Sequence, residues 1–250
     1  MYTTLSNASK NMGLQENEKK TKIMASTPNN RARNIGHQFT VDNSTFKVVD
    51  KFTYLGSLII KENVMTEEIK QRIILANKCY FGLSRHMRSR NLSQKTKITI
   101  YKTLIQPVLI YGSETWTISK ADENLLLIFE RRSLRRIFGG ICEKGIWRRR
   151  YKYEIYHRYK YTFGGKDVVS LIKIGRLRWA GHLARSQQNN PPRRILMSQP
   201  VESRSRGRPK LRWRDGVDED GKKIGAANWQ QLAMDRTDWH NILGKVEALL

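Results

Sequence analysis

The chain has 250 residues, 39% of them apolar, with 47 Lys and Arg against 22 Asp and Glu, a formal charge of +25. That is enough apolar material for a core, but charge on this scale repels itself and calls for a polyanionic partner, nucleic acid first and an anionic membrane surface second. No apolar run has membrane-spanning length, the N-terminus lacks the regions of a secretory signal, and Cys79 and Cys142 offer neither a disulfide framework nor a Cys-x-x-Cys zinc site, so a reducing nucleus or cytoplasm is expected.

In chain order, the first ten residues and the stretch 25–36 are rich in Ser, Asn, Thr and Arg and read as loops. Phe39-Thr40-Val41, a turn at Asp42-Asn43-Ser44, and Thr45 to Val49 read as a β-hairpin, followed by an extended run Phe52-Thr53-Tyr54-Leu55 that ends at Gly56. The period then becomes helical. Thr66 is placed as an N-cap, and Ile69, Ile73, Ala76, Tyr80, Leu83 and Met87 recur along one face of a long helix. A second helix starts near Ser93, with Pro107 expected to break or kink it. A third opens on the capping signature Ser119-Lys120-Ala121-Asp122 and stops at Gly139-Gly140. Another begins at Asp167 and carries Val169, Ile172, Arg176, Trp179 and Leu183 on one face. Residues 186–214 read as a basic linker, and a last short helix gathers Trp229, Leu232, Ala233 and Trp239.

The charge is concentrated. Residues 131–160 carry 11 basic and 2 acidic side chains, residues 173–214 carry 12 and 1, and the tail 215–250 reverses sign with 4 and 7. Localised excess of this kind is the footprint of a phosphate-tracking face. Within it arginine and tryptophan interleave: Trp147-Arg148-Arg149-Arg150, Arg176-Leu177-Arg178-Trp179 and Arg212-Trp213-Arg214. Indoles can stack on bases while guanidinium groups hold phosphates. Trp179 shares the apolar stripe of its helix and is read first as core, whereas Trp213 sits among polar residues and suits either role. Arg206-Gly207-Arg208-Pro209-Lys210 looks like an AT-hook core, in which two arginines flank an extended glycine in a narrow A·T minor groove; a basic linker is the alternative. No active site is complete. The acidic set Asp215, Asp218, Glu219 and Asp220 reads as a solvated loop that neutralises the neighbouring basic block, and the histidines have no Cys partner.

The order of motifs resembles a known family. Gly13-Leu14-x-x-Asn17-x-x-Lys20-Thr21-Lys22-x-Met24 is similar to the segment after the catalytic Asp pair of non-LTR retrotransposon reverse transcriptases. Phe52-Thr53-Tyr54-Leu55-Gly56-Ser57 is similar to the hairpin that closes their palm. The runs from Ile100 to Trp116, from Phe129 to Gly139, from Arg176 to His182 and from Arg206 to Asp215 resemble the thumb and C-terminal region of endonuclease–reverse transcriptases of this kind. The resemblance implies a primer-grip-like role for Tyr54, Leu55 and Gly56, and places Lys20 and Lys22 in the motif whose lysine assists pyrophosphate departure. The Phe/Tyr-Ala-Asp-Asp signature is not among these residues, so the resemblance implies a truncated reverse transcriptase that is not an enzyme on its own; Mg2+ is expected only for the intact family polymerase, and no cofactor for this chain.

The expected fold is α+β, predominantly α: a small N-terminal antiparallel β-hairpin piece, a helical thumb-like bundle and a basic, partly disordered C-terminal region. The boundaries are 1–62 for the end of the palm, 63–140 for the thumb-like domain, 141–185 for a basic helical region, 186–214 for the linker and 215–250 for a short helical tail. The expected nucleic-acid contacts are Arg131, Arg132, Arg135, Arg136, Arg148, Arg149, Arg150, Arg176, Arg178, Trp179, Arg206, Arg208, Lys210, Arg212 and Trp213. The expected partner is RNA, an RNA–DNA template–primer or DNA, with no membrane and no second copy. A sequence-tolerant DNA-binding or chromatin module built on the hook-like segment is the alternative.

Overall fold

In the computed structural model, which describes residues 2–14, 17–25, 36–41, 44–198 and 211–249, the chain divides into two units, Met1–Glu68 and Ile69–Leu250. The fold class is α+β and predominantly α.

The first unit opens with a helix, α1 (Tyr2–Asn11), where a loop is expected. Its Thr, Ser and Asn residues are poor helix formers, but Gly13, at φ 72°, gives it a left-handed end with the Leu14 N–H on Ser9 O at 2.9 Å. Strands β1 (Lys22–Ile23), β2 (Gln38–Val41) and β3 (Ser44–Val48) form one sheet in the order β1-β3-β2. The β2–β3 pair is the expected antiparallel hairpin, with Phe39 opposite Phe46, while β1 adds to it in parallel. Asp42 and Asn43 of its turn lie outside the described residues. The extended run at 52–55 is half of a second hairpin, β4 (Lys51–Tyr54) with β5 (Ser57–Ile60). Its two-residue turn, Leu55 at φ 48° and Gly56 at φ 85°, is of the mirror-image kind whose twist matches the strands. Glu68 Oε2 accepts the Leu58 N–H at 2.6 Å and ties this hairpin to the residues that follow it.

The second unit is mostly helical. Helix α2 (Met65–Gly82) begins one residue before the expected cap and gives way at Leu83 to α3 (Ser84–Arg88). Helix α4 (Gln94–Ile100) is capped by Ser93, whose hydroxyl accepts the Thr96 N–H at 3.0 Å. Pro107 does not end the helical path. A wide π-turn at Tyr101–Ile105 precedes it, and the proline occupies the first turn of α5 (Gln106–Ile110), where a missing N–H costs least. Helix α6 (Lys120–Phe138) has the expected reciprocal cap between Ser119 and Asp122 and stops at Gly139, φ 70°. Tyr101, Ile105, Leu109, Trp116, Leu126, Phe129, Leu134, Ile155, Tyr159 and Ile172 are buried in this unit.

Three expectations about the C-terminal half are corrected. Residues 141–185 are not all helical: β6 (Ile141–Glu143) and β7 (Ile146–Arg148) form a tight hairpin over Lys144 (φ 51°) and Gly145 (φ 82°). It precedes α7 (Lys152–His157), a π-turn at Arg158–Thr162, and α8 (Val168–Arg185), which Asp167 caps through Val169 N and Ser170 N. The span 186–214 is not linker throughout, because α9 (Pro191–Met197) buries Leu196 in a second core. Lastly, the acidic set lies not in a solvated loop but in α10 (Trp213–Lys223). That second core joins Leu177, Ala180, Leu183 and Ala184 of α8 to Val217 of α10, Trp229 and Ala233 at α11 (Trp229–Leu232), and Trp239 and Leu243 of α12 (Arg236–Leu249).

Candidate nucleic-acid interface

Helix α6 delivers Arg131, Arg132, Arg135 and Arg136 to its last two turns, and the chain then reverses through Gly139-Gly140 into the β6–β7 hairpin. Arg149 and Arg150 follow the hairpin. Arg132, Arg135, Arg136, Arg149 and Arg150, with the two glycines, line an open concavity of about 440 Å3 that has no carboxylate among the described residues lining it. Arg135 Nε donates to Arg150 O at 3.4 Å and so fixes the two arms of the concavity together. Arg136 lies 5.3 Å from the ring centre of Tyr80 and 6.0 Å from that of Phe81, which holds its guanidinium in place without neutralising it. The Arg150 Nε is buried and has no hydrogen-bond partner among the described residues.

The hairpin sorts charge by face, because successive strand residues point to opposite sides. On one face Arg148 donates to Glu143 and to Glu154, the latter at 2.7 Å, and its guanidinium covers Tyr151 at 4.5 Å. These bonds hold the Glu154 carboxyl at about 2 and raise the Arg148 pKa further. On the other face Trp147 stands opposite Cys142, lies against Gly140 and is 75% exposed. Arg148 is therefore spent within the fold, whereas Trp147 and the arginines of the concavity face outward.

Several expected contacts are structural instead. Arg176 is only 3% exposed and is ion-paired with Asp220 of α10, so it is no phosphate ligand. Trp213 is half-buried against the second core, and its Nε1 donates to Glu114 O at 2.8 Å. Of the two roles its sequence allows, the structure favours the core, because a helix turns Trp213 and Val217 to the same side. Trp179 also packs on that core and stacks on His182 with ring centres 5.2 Å apart, in line with its place on the apolar stripe. Arg131 is half-buried and shares a hydrogen bond with Tyr156. Arg178 is exposed on α8. Arg212 lines a second, smaller concavity of about 180 Å3, but there Glu123, Glu219 and Asp220 offset the basic side chains. Arg206, Arg208 and Lys210, hence the hook-like segment, lie outside the described residues.

In the N-terminal unit Tyr54 and Leu55 are exposed at the tip of the β4–β5 hairpin. Lys20 is in a turn, its N–H on Asn17 Oδ1 at 3.0 Å, and the Lys22 ammonium lies 6.0 Å from the Phe52 ring centre.

One polar centre has no counterpart in the sequence reading. Glu130, fully buried on α6, accepts from Val168 N at 3.1 Å, Tyr156 Oη at 3.2 Å and Tyr101 Oη at 3.3 Å. Burial outweighs these bonds and pushes its carboxyl up to about 8, and the same burial raises Tyr101 well above its ordinary value. Glu130 joins α6 to the N-terminus of α8 and has no access to a substrate. Its signal in sequence, a lone Glu between Phe129 and Arg131, does not differ from that of a surface residue. Among the described residues no group of three or more His, Cys, Asp or Glu could hold a metal ion, and no helix is long and apolar enough to cross a membrane.

With this geometry in view, the chain is similar to an uncharacterised transposon-derived protein of Caenorhabditis elegans, 28% identical over 238 residues that cover 91% of this chain and 82% of the nematode protein. That likeness supports a transposable-element origin. No family model matches the chain. No solved structure matches it.

Proposed function

We propose that the chain corresponds to the palm end, thumb and tail of a non-LTR retrotransposon reverse transcriptase and acts by holding nucleic acid, without polymerase chemistry of its own. The observation that carries this reading is the carboxylate-free concavity of five arginines beside an exposed tryptophan. Phosphates neutralise such a cluster and release counterions, while the same cluster without a polyanion repels itself. The transposon-derived relative supports the element origin, and the ordered motifs of the resemblance supply the finer assignment. Polymerisation needs paired carboxylates for its metal ions, and the Ala-Asp-Asp signature is not in this sequence.

The test is a binding titration of purified chain against labelled RNA and an RNA–DNA hybrid across a salt series, beside a primer-extension assay with Mg2+. Affinity that falls linearly in log–log with salt, and no extension, are the expected results. Salt-independent or absent binding would remove the first half of the proposal, and measurable extension the second.

A further inference from the structure

We infer that the concavity and Trp147 together form a subsite for one unpaired nucleotide, its base stacked on the indole and its phosphate among Arg132, Arg149 and Arg150. This rests on the nucleic-acid reading above and adds a preference for single strands.

Three features of the site point the same way. Trp147 is 75% exposed, and among the described residues no other ring or cation covers the indole, whereas Tyr151 on the opposite side is already covered by Arg148. The ring is also fixed beside the arginines. A Cβ at Gly140 would stand 3.3 Å from Trp147 Cε3 and 3.1 Å from Arg148 O, so the glycine lets the indole settle against the rim of the concavity. Finally, the volume of about 440 Å3 lies within the range of small-ligand pockets, of the size of a nucleotide and far from that of a duplex.

A base can lie on Trp147 only if it is out of its own stack. Single strands meet that condition already, while a duplex must first unpair and unstack. The arginines themselves do not discriminate, since both forms carry phosphates. Stacking is therefore the discriminating contact, and electrostatics the common one.

The experiment is fluorescence anisotropy on the full chain at one fixed salt concentration. The probes are labelled oligouridylate and a labelled blunt RNA duplex of equal length. Trp147→Ala should weaken the single strand about tenfold and leave the duplex within about twofold. Trp147→Phe should recover most of the loss, because the ring rather than the indole N–H is what stacks. With Trp147 exposed, neither variant threatens folding. Equal weakening of both probes, or of neither, overturns the subsite while salt-dependent binding leaves the broader reading intact. Absence of salt-dependent binding to either probe overturns both.

Discussion

Arg176 and Asp220 form a buried ion pair between α8 and α10, their side chains 4% and 6% exposed, and the Arg176 guanidinium also reaches Trp116 O at 3.5 Å. Gly216 makes room for it: a Cβ there would stand 2.6 Å from Arg176 Nη1. Removing one partner strands the other charge in the core. Asp220→Ala is expected to cost about 3–5 kcal/mol of unfolding free energy. The double variant Arg176→Met/Asp220→Leu should recover much of that, as measured by urea denaturation.

Gly181 meets Trp239 in the second core, and a Cβ would come within 2.3 Å of Trp239 Nε1, which itself donates to Leu177 O at 3.2 Å. Gly181→Ala must displace the indole and break that bond. A loss of roughly 1–3 kcal/mol in thermal or urea unfolding is expected, with near-neutral cost for Gly175→Ala, where a Cβ meets open space.

These two contacts explain what the sequence could and could not yield. The run from Arg176 to His182 is dense in Arg and Trp, so it reads as a phosphate-binding motif. Its first arginine, Arg176, is spent on Asp220 and its glycine on Trp239, both more than forty positions away, and pairing at that separation leaves no local trace. Capped helices were legible because caps are local: Ser119 with Asp122, Ser93 with Thr96, and Asp167 with Ser170 all lie within one turn. The β6–β7 hairpin was missed because its strands have three residues each, although Lys144-Gly145 between Glu143 and Ile146 is the sort of turn that marks one. The arginine block at 131–150 was legible as a block, but only folding separates Arg148, which is paired, from the five that line the concavity.

Glu130 should make stability depend on pH. Its carboxyl titrates at about 8 in the folded chain and near the ordinary 4.5 once unfolded. Between these values the folded state keeps a proton that the unfolded state has released, so the contribution of this group falls as pH rises through the window. The full effect is on the order of 5 kcal/mol. Glu130→Gln removes the titration while keeping a polar side chain for Tyr101 and Tyr156. Melting temperatures of the two proteins, compared from about pH 3 to pH 10, should run with the same slope below about pH 4 and above about pH 9 and diverge in slope between.

Leu55 occupies the left-handed region at φ 48° in the β4–β5 turn, where Asn ahead of Gly is favoured. The conformation costs a branched residue about 1 kcal/mol. Leu55→Asn should stabilise the hairpin by about that much, read as slower amide exchange at Tyr54 and Ser57, which flank the turn and pair across it. A hairpin tip held for contact as well as for fold would show a trade, the Asn variant being more stable but weaker in nucleic-acid binding, since Leu55 is 75% exposed.

The arginines of the concavity and Arg148 are neighbours with different electrostatic roles, and salt separates them. Arg132 and Arg149 are exposed in a space without carboxylates, so each phosphate they hold displaces condensed counterions. Arg148 is bonded to both Glu143 and Glu154, so its charge is already offset. On single-stranded probes, Arg149→Ala and Arg132→Ala should each reduce the log–log salt slope by about 0.7. Arg148→Ala should leave the slope within error and instead expose Glu143 and Glu154, lowering affinity by their repulsion of the strand. That loss should disappear in the triple variant Arg148→Ala/Glu143→Gln/Glu154→Gln, whereas no carboxylate substitution should restore the slope lost with Arg149. Equal slopes for the Arg148 and Arg149 variants would mean that phosphate contacts are spread over the whole basic block and that the concavity has no special part in them.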